Sequence, residues 1–192
     1  MTKSLVLALA ASAIAAGLSV PAFAAPPPAP KIVVIDRAAI MQFSKVGQDI
    51  ARQMQGYANQ AKKDLTAQGQ ALQSEGRQLQ QQVAILAPDV KAKRLAAFQA
   101  KEQALQTTAQ KKDDQMKAAF FQARQAMEQA LGPILQEIVK ERGANLVLDK
   151  QAVVFATASG FDITGDAINR LNQKMPSFKV NLNAPPPAAP KQ

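Results

Sequence analysis

The chain has 192 residues, with 23 Lys and Arg against 14 Asp and Glu, and contains no Cys and no His. That composition excludes disulfides and thiolate metal sites, and it removes both the usual general base and the commonest metal ligand. With no Trp and a single Tyr, Tyr57, it also lacks an aromatic platform on which nucleic-acid bases could stack.

Residues 1–24 read as a cleaved secretory signal. Lys3 supplies the positive start, residues 5–20 form a short apolar run, and "AFA" at 22–24 is a cleavage pattern that places the cut after Ala24. Losing Lys3 leaves 22 basic against 14 acidic residues, a net charge of +8 on the exported chain. Behind an export signal, nucleic acid is out of reach as a partner. Acidic clients, or anionic lipid headgroups, are the surfaces such a charge would meet. "APPPAP" at 25–30 is a Pro-rich stretch that cannot pack a core and is predicted to be a disordered tail.

"KIVVID" then gives a buried strand over 32–36, and residues 37–43 allow one or two helical turns. Ser44 is positioned to cap a long helix. Its apolar positions run through Val46, Ile50, Met54, Tyr57, Ala61 and Leu65, and Leu65, Leu72, Leu79 and Leu86 continue at a spacing of seven. The seam is thin, because Gly69 and Gly76 fall on its second row. Two readings stand: the glycines let the helices approach closely, or they soften the arm.

"LAPDV" at 86–90 breaks this helix and starts another, with Pro88 suited to a first turn and Asp89 favoured by the helix dipole. The chain therefore turns back near 87–89. The return helix carries Leu95, Phe98, Leu105, Ala109, Met116, Phe120, Ala123, Met127, Ala130 and Ile134 at helical spacing, and Gly143 closes it. Pro133 inside it predicts a bend where the arm enters a better-packed body. Beyond Gly143, residues 146–148 and 153–156 read as two further strands. Thr164 is a good N-cap for a short last helix to about Lys174, with Ile163 and Ile168 as its hydrophobic staple. A second Pro-rich tail is predicted over 179–192.

These elements make an α+β chain, mainly α: a long antiparallel helical hairpin, a coiled-coil-like arm over 44–142, inserted into a small β body over 31–43 and 143–178. The body alone has about 50 residues, too few to stand without staples. Its short strands leave edges. Association of several copies, pooling the small cores, is the expected remedy, so the body is taken to be completed by oligomerisation.

"KIVVIDRAAIM", "SKVG" at 44–47, the Gln- and Lys-rich hairpin, "NLVLDKQAVVFA" at 145–156 and "DITGDAINRLN" at 162–172 together resemble the Skp (OmpH-like) family of periplasmic chaperones. The resemblance spans about 31–178. It implies a homotrimer in which strands of three subunits form a β hub and three hairpins enclose a cavity. It also implies ATP-independent holding of unfolded outer-membrane proteins in the periplasm. On that footing Val33, Ile35, Leu146, Leu148, Val153 and Phe155 are the expected trimerisation residues. Phe98, Leu105, Met116, Phe120 and Phe121 are the candidates for client contact, against the alternative that they pack the seam. Phe121, next to Phe120, cannot share one narrow stripe with it. The family's lipopolysaccharide-binding or anionic-surface cluster finds its nearest counterparts in Lys111, Lys112 and Lys117, which a solvated helix face would also explain.

No phosphate-binding or metal-binding motif occurs, and no cofactor, metal site or catalytic residue is expected. Asp113 and Asp114 lie about 100° apart around a helix and read as a charge cluster. The rival to a holding chaperone is a structural coiled-coil stalk or adaptor of the envelope.

Overall fold

The computed structural model of the chain describes residues 29–154 and 160–183. The expected signal at 1–24, most of the first Pro-rich stretch, residues 184–192 and Phe155 lie outside the described residues. The element order is β1 (Ile32–Ile35), α1 (Arg37–Phe43), α2 (Lys45–Gln82), α3 (Pro88–Arg142), β2 (Leu146–Asp149), a 3-10 turn at Lys150–Ala152, and α4 (Thr164–Lys174).

Local chemistry sets each boundary. The Asp36 carboxylate accepts from the Ala39 amide and starts α1. Ser44 ends α1 and begins α2: its amide donates to the Ile40 carbonyl, and its hydroxyl accepts from Gly47 at 3.1 Å. Asn172 of α4 receives the Lys45 amide at 2.7 Å, so a second otherwise unpaired amide at the start of α2 is satisfied. Gly143, at φ 59°, closes α3 with a Schellman pattern in which the Ala144 amide donates to Val139 and the Gly143 amide to Lys140. Pro133 sits within α3, which runs through it unbroken for 55 residues.

α2 and α3 pack as a long hairpin turning at 83–87, while β1 and β2 form a parallel pair in the register Ile32↔Leu146 to Ile35↔Asp149. Parallel neighbours need a crossover, and the whole hairpin is that crossover. Val34 also bridges to Asp162, through the Val34 amide to Phe161 and the Ile163 amide to Val34. The third β partner is therefore residues 161–163. Val153 and Val154, expected to begin a strand, instead follow the 3-10 turn, with Val154 fully exposed.

The core lies where the body meets the root of the hairpin. Val33 and Ile35 of β1, Ile40 of α1, Val46 and Ile50 of α2, Met127 to Ile138 of α3, and Ile163, Ala167 and Leu171 around α4 form one buried cluster. The seam expected to be thin is well packed at its root, which supplies much of that cluster. The tertiary reason is that α3 runs back alongside the body before it ends.

The C-terminal part also differs from expectation at two places. Thr164 is the first helical residue of α4 and not its cap. Asp162 accepts the Thr164 amide, and the Thr164 hydroxyl is used instead to accept the Asp36 amide at 2.9 Å. Chain beyond residue 178, expected to belong to a tail, lies against α2 as far as Leu182, with Val180 buried.

Thr164→Val keeps the shape but leaves the Asp36 amide without its acceptor. We expect it to cost about 1–3 kcal/mol, read as a lower urea midpoint, with Thr164→Ser retaining most of the stability. An unchanged midpoint for Val would mean that water replaces the hydroxyl.

Candidate functional site

The arm is narrow, so its seam has little to hide. Among the leucines at heptad spacing, Leu79 is buried while Leu65, Leu72 and Leu86 are half-buried. Gly76 is a close-approach glycine: a Cβ there would stand 3.0 Å from the Phe98 ring. Gly69 meets nothing within 4 Å. Close approach therefore accounts for Gly76 and not for Gly69. The legs are cross-tied at the surface by Lys101–Glu75, Lys112–Asp64 and an Arg94–Gln82 hydrogen bond. Such exposed ties are worth little individually.

Nearer the body the seam is built from Ala119, Ala123, Met127 and Leu131, all buried. Side-chain size alone predicts a seam through Phe120. Ala119, one residue earlier, takes the place of Phe120 because alanine lets α2 and α3 come close, while Ala123 and Met127 are buried as expected. Phe120 and Phe121 are consequently both on the surface, 42% and 46% exposed. Phe98, Leu105 and Met116 are half-buried along the arm. Met116, Phe120 and Lys117 of α3 border a shallow apolar groove with Ala51, Met54 and Ala58 of α2. Phe120 also lines a cleft of about 430 Å³ at the neck, between Arg37, Met41, Arg124 and Met127.

The three lysines separate. Lys112 pairs across the hairpin with Asp64 at 3.3 Å. Lys117 pairs with Asp113 on its own helix at 2.5 Å, which holds its ammonium above the ordinary lysine value. Lys111 is exposed and forms no ion pair among the described residues. The structure does not gather them into one basic pocket.

In the body, strand alternation sorts the residues expected at the trimer interface. Val33 and Ile35 point into the chain's own core, packed with Val147. Ile32 and Leu146 pair on the opposite face, 39% and 43% exposed, and Leu148 follows Leu146 on that face, half-buried. Val153 is half-buried beyond the strand. The Asn145 amide donates to Lys31, so with a period of two Val147 and Asp149 direct their backbone groups at β1. Leu146 and Leu148 then aim their own amides and carbonyls outward, along an edge that no described strand pairs.

Around that sheet several carboxylates are held below their ordinary values. Arg37 does this to Asp149, and Arg170 to Glu141. Burial pushes Asp162 up, but hydrogen bonds from Thr164 and the Lys150 ammonium at 3.5 Å outweigh it and hold it low. A carboxylate with a depressed folded value stabilises the fold above its unfolded value and loses that contribution as pH falls through the folded one. Tm is therefore expected to be flat between about pH 7 and 5 and to fall below about pH 4. A circular-dichroism melting series across that range checks this, and a Tm that rises on acidification would contradict it.

Comparison with known proteins now places the chain. The family model for "Outer membrane protein (OmpH-like)" matches residues 31–171, most of the chain. The chain belongs to the OmpH-like family. A solved structure from Caulobacter crescentus CB15, described as a candidate outer membrane chaperone (OmpH-like), is similar at 22% identity and a TM-score of 0.73. That match covers 81% of this chain and 92% of the other, and it establishes the shared fold. No curated protein matches the chain. Among the described residues of this OmpH-like chain, no helix is long and apolar enough to cross a membrane, and no group of acidic side chains is arranged to hold a metal ion. The matched span ends at Leu171, so the packed segment after α4 lies beyond it.

Proposed function

We propose that the chain is an ATP-independent holding chaperone of the periplasm, acting as a homotrimer on unfolded outer-membrane β-barrel proteins. The observation that carries this reading is the pair of adjacent phenylalanines, Phe120 and Phe121, exposed on a slender two-helix arm. A two-helix arm cannot bury every apolar face it presents. Partly exposed Phe, Met and Leu offer adaptable, non-specific contacts to an unfolded chain. Each contact is weak, and several arms acting on one client multiply them. Release then needs no nucleotide and no covalent step, because the weak contacts let go one by one as the client folds elsewhere.

The trimer part of the proposal is supported by the outer face of the sheet. Ile32, Leu146 and Leu148 lie beside an edge that no described strand pairs, the combination that strand addition between copies would cover. The support comes from this surface and not from core size, since the hairpin root already enlarges the core. The net positive charge of the exported chain would speed encounter with acidic clients. Of the three lysines, Lys111 is the one left exposed and without an ion pair among the described residues, available to an anionic surface such as lipopolysaccharide.

The test is aggregation of a denatured outer-membrane barrel protein diluted from urea, followed by turbidity. Stoichiometric suppression is expected. No suppression would sink the holding function and favour the envelope stalk. Phe121→Ser should leave Tm unchanged, because the ring is half in solvent. It should raise the concentration for half-suppression about 3- to 10-fold, because each arm then offers the client less apolar surface.

A further inference from the structure

After α4 the chain passes Pro176 and lies extended along α2. Asp49, Gln53 and Tyr57 occupy one face of α2 at steps of four, and they take up the backbone of this strap. The Phe178 amide donates to the Asp49 carboxylate at 3.3 Å. The Gln53 side-chain amide donates to the Phe178 carbonyl at 2.7 Å, and its oxygen accepts the Val180 amide at 3.0 Å. The Tyr57 hydroxyl donates to the Val180 carbonyl at 3.3 Å. Gln53 therefore does for residues 178–180 what the backbone of a parallel strand would do.

The side chains alternate in the same register. Val180 is buried, Phe178 and Leu182 are half-buried against the core, and Lys179 and Asn181 face solvent. "FKVNL" thus has the apolar-polar alternation of a strand from a β-barrel, whose two faces meet different surroundings. The groove on α2 reads backbone groups and demands an apolar side chain only at every second position. It makes no hydrogen bond that depends on which side chains the strap carries.

We propose that this groove is a binding site for extended client segments with apolar residues at alternate positions, and that the strap over 177–183 fills it as an internal substitute until a client displaces it. The inference rests on the holding-chaperone reading for the nature of its client. A strap tethered to α4 competes at an effective concentration on the order of millimolar, so a short free peptide is a poor rival. A long client already held by the arms presents many such segments at comparable local concentration and can exchange with it. The strap keeps an apolar groove covered when no client is present, which limits self-association.

The experiment uses the full exported chain and a fluorescent peptide, SFKVNLN, with a blocked peptide of the same composition, SKNNFVL, as control. Val180→Asp should eject the strap and bind the alternating peptide at least about 10-fold more tightly than the parent chain, by anisotropy. Adding Gln53→Ala should abolish that gain, and the blocked peptide should bind neither chain. Failure of the opened groove to bind SFKVNLN, or equal binding of both peptides, overturns the proposal. If Val180→Asp does not fold by circular dichroism, hydrogen exchange on the parent chain decides. Exchange at the Val180 amide must accelerate when unfolded barrel protein is added, and unchanged protection overturns the proposal. Turbidity separates the two readings: suppression without strap exchange leaves the chaperone and removes the groove, whereas peptide exchange without suppression does the reverse.

Discussion

On the proposed trimer, replacing Leu146 and Leu148 together by lysine is expected to leave each chain folded and to reduce the assembly from three chains to one. Both side chains stand on the outer face of β2, away from the core that Val33, Ile35 and Val147 enter. Leu146 is largely exposed, while Leu148 is half-buried beside the buried Val34, so the double change should cost the monomer less than a core substitution. In an assembly that covers this face, each leucine would contribute about 1.5–3 kcal/mol on burial, and a lysine on an open strand edge opposes pairing by charge and desolvation. Intact-complex mass measurement at low micromolar concentration reads the outcome directly, and turbidity should show holding activity disappearing with the trimer. A variant that keeps the mass of three chains would move the interface away from β2. A parent chain that is itself a monomer would remove the trimer altogether.

Gly47→Ala is expected to be the most damaging added methyl among the described glycines. Gly47 sits in the first turn of α2, directly against the last turn of α1. A Cβ built there would overlap the carbonyl oxygen of Met41 and stand 2.7 Å from its carbon and 3.0 Å from the Ser44 hydroxyl. The obstacle is backbone, so no rotamer change relieves it, and α1 must move away from the core it covers with Ile40. We expect a loss of about 3 kcal/mol or more, or roughly 6–12 °C in Tm for a domain of this size. Gly69→Ala is the control. Nothing lies within 4 Å of a Cβ at that position, and the better helix propensity of alanine should leave the fold equal or slightly more stable. Parallel thermal melts of the two variants make the comparison, and equal Tm values would mean that the α1–α2 junction yields easily.

Much of this architecture is legible in local chemistry. Ser44 as a cap, Pro88 at the start of a helix, Gly143 at the end of one and the spacing of the leucines each act within a turn or two of chain. The hairpin and the two strands on either side of it follow from them. The glycine in "SKVG" is visible in the sequence but its reason is not, because that reason is the Met41 carbonyl of another helix. Size as the signal for burial puts Phe120 in the seam. At that turn the seam takes Ala119 instead, a residue that carries little hydrophobic signal but allows close helix approach. Thr164 has the look of a cap and is used by Asp36, which precedes it by more than a hundred residues.

The candidate site divides in the same way. That one of two adjacent phenylalanines stays outside the seam can be read from the sequence, because two adjacent rings cannot enter one helical stripe; that both do cannot. The outward face of the sheet cannot, because Val33 and Leu146 look alike until the parallel register assigns them to opposite sides. The strap is hidden because a single alternating stretch before a Pro-rich tail resembles loop. Its only sequence signal is "FKVNL" itself.

By itself the sequence determined the helical arm, its turn, its export signal as an expectation and the absence of side chains for imidazole or thiol chemistry. Those are consequences of periodicity, capping and composition, which act locally or not at all. Only the tertiary structure decided which edge of the sheet no described strand pairs, which face carries Ile32 and Leu146, how the root of the arm joins the core, and where the last extended segment lies. Each of those depends on groups brought together across a hundred residues by packing, and no local pattern in the chain encodes which partner a strand, a methyl-sized gap or a free amide will meet.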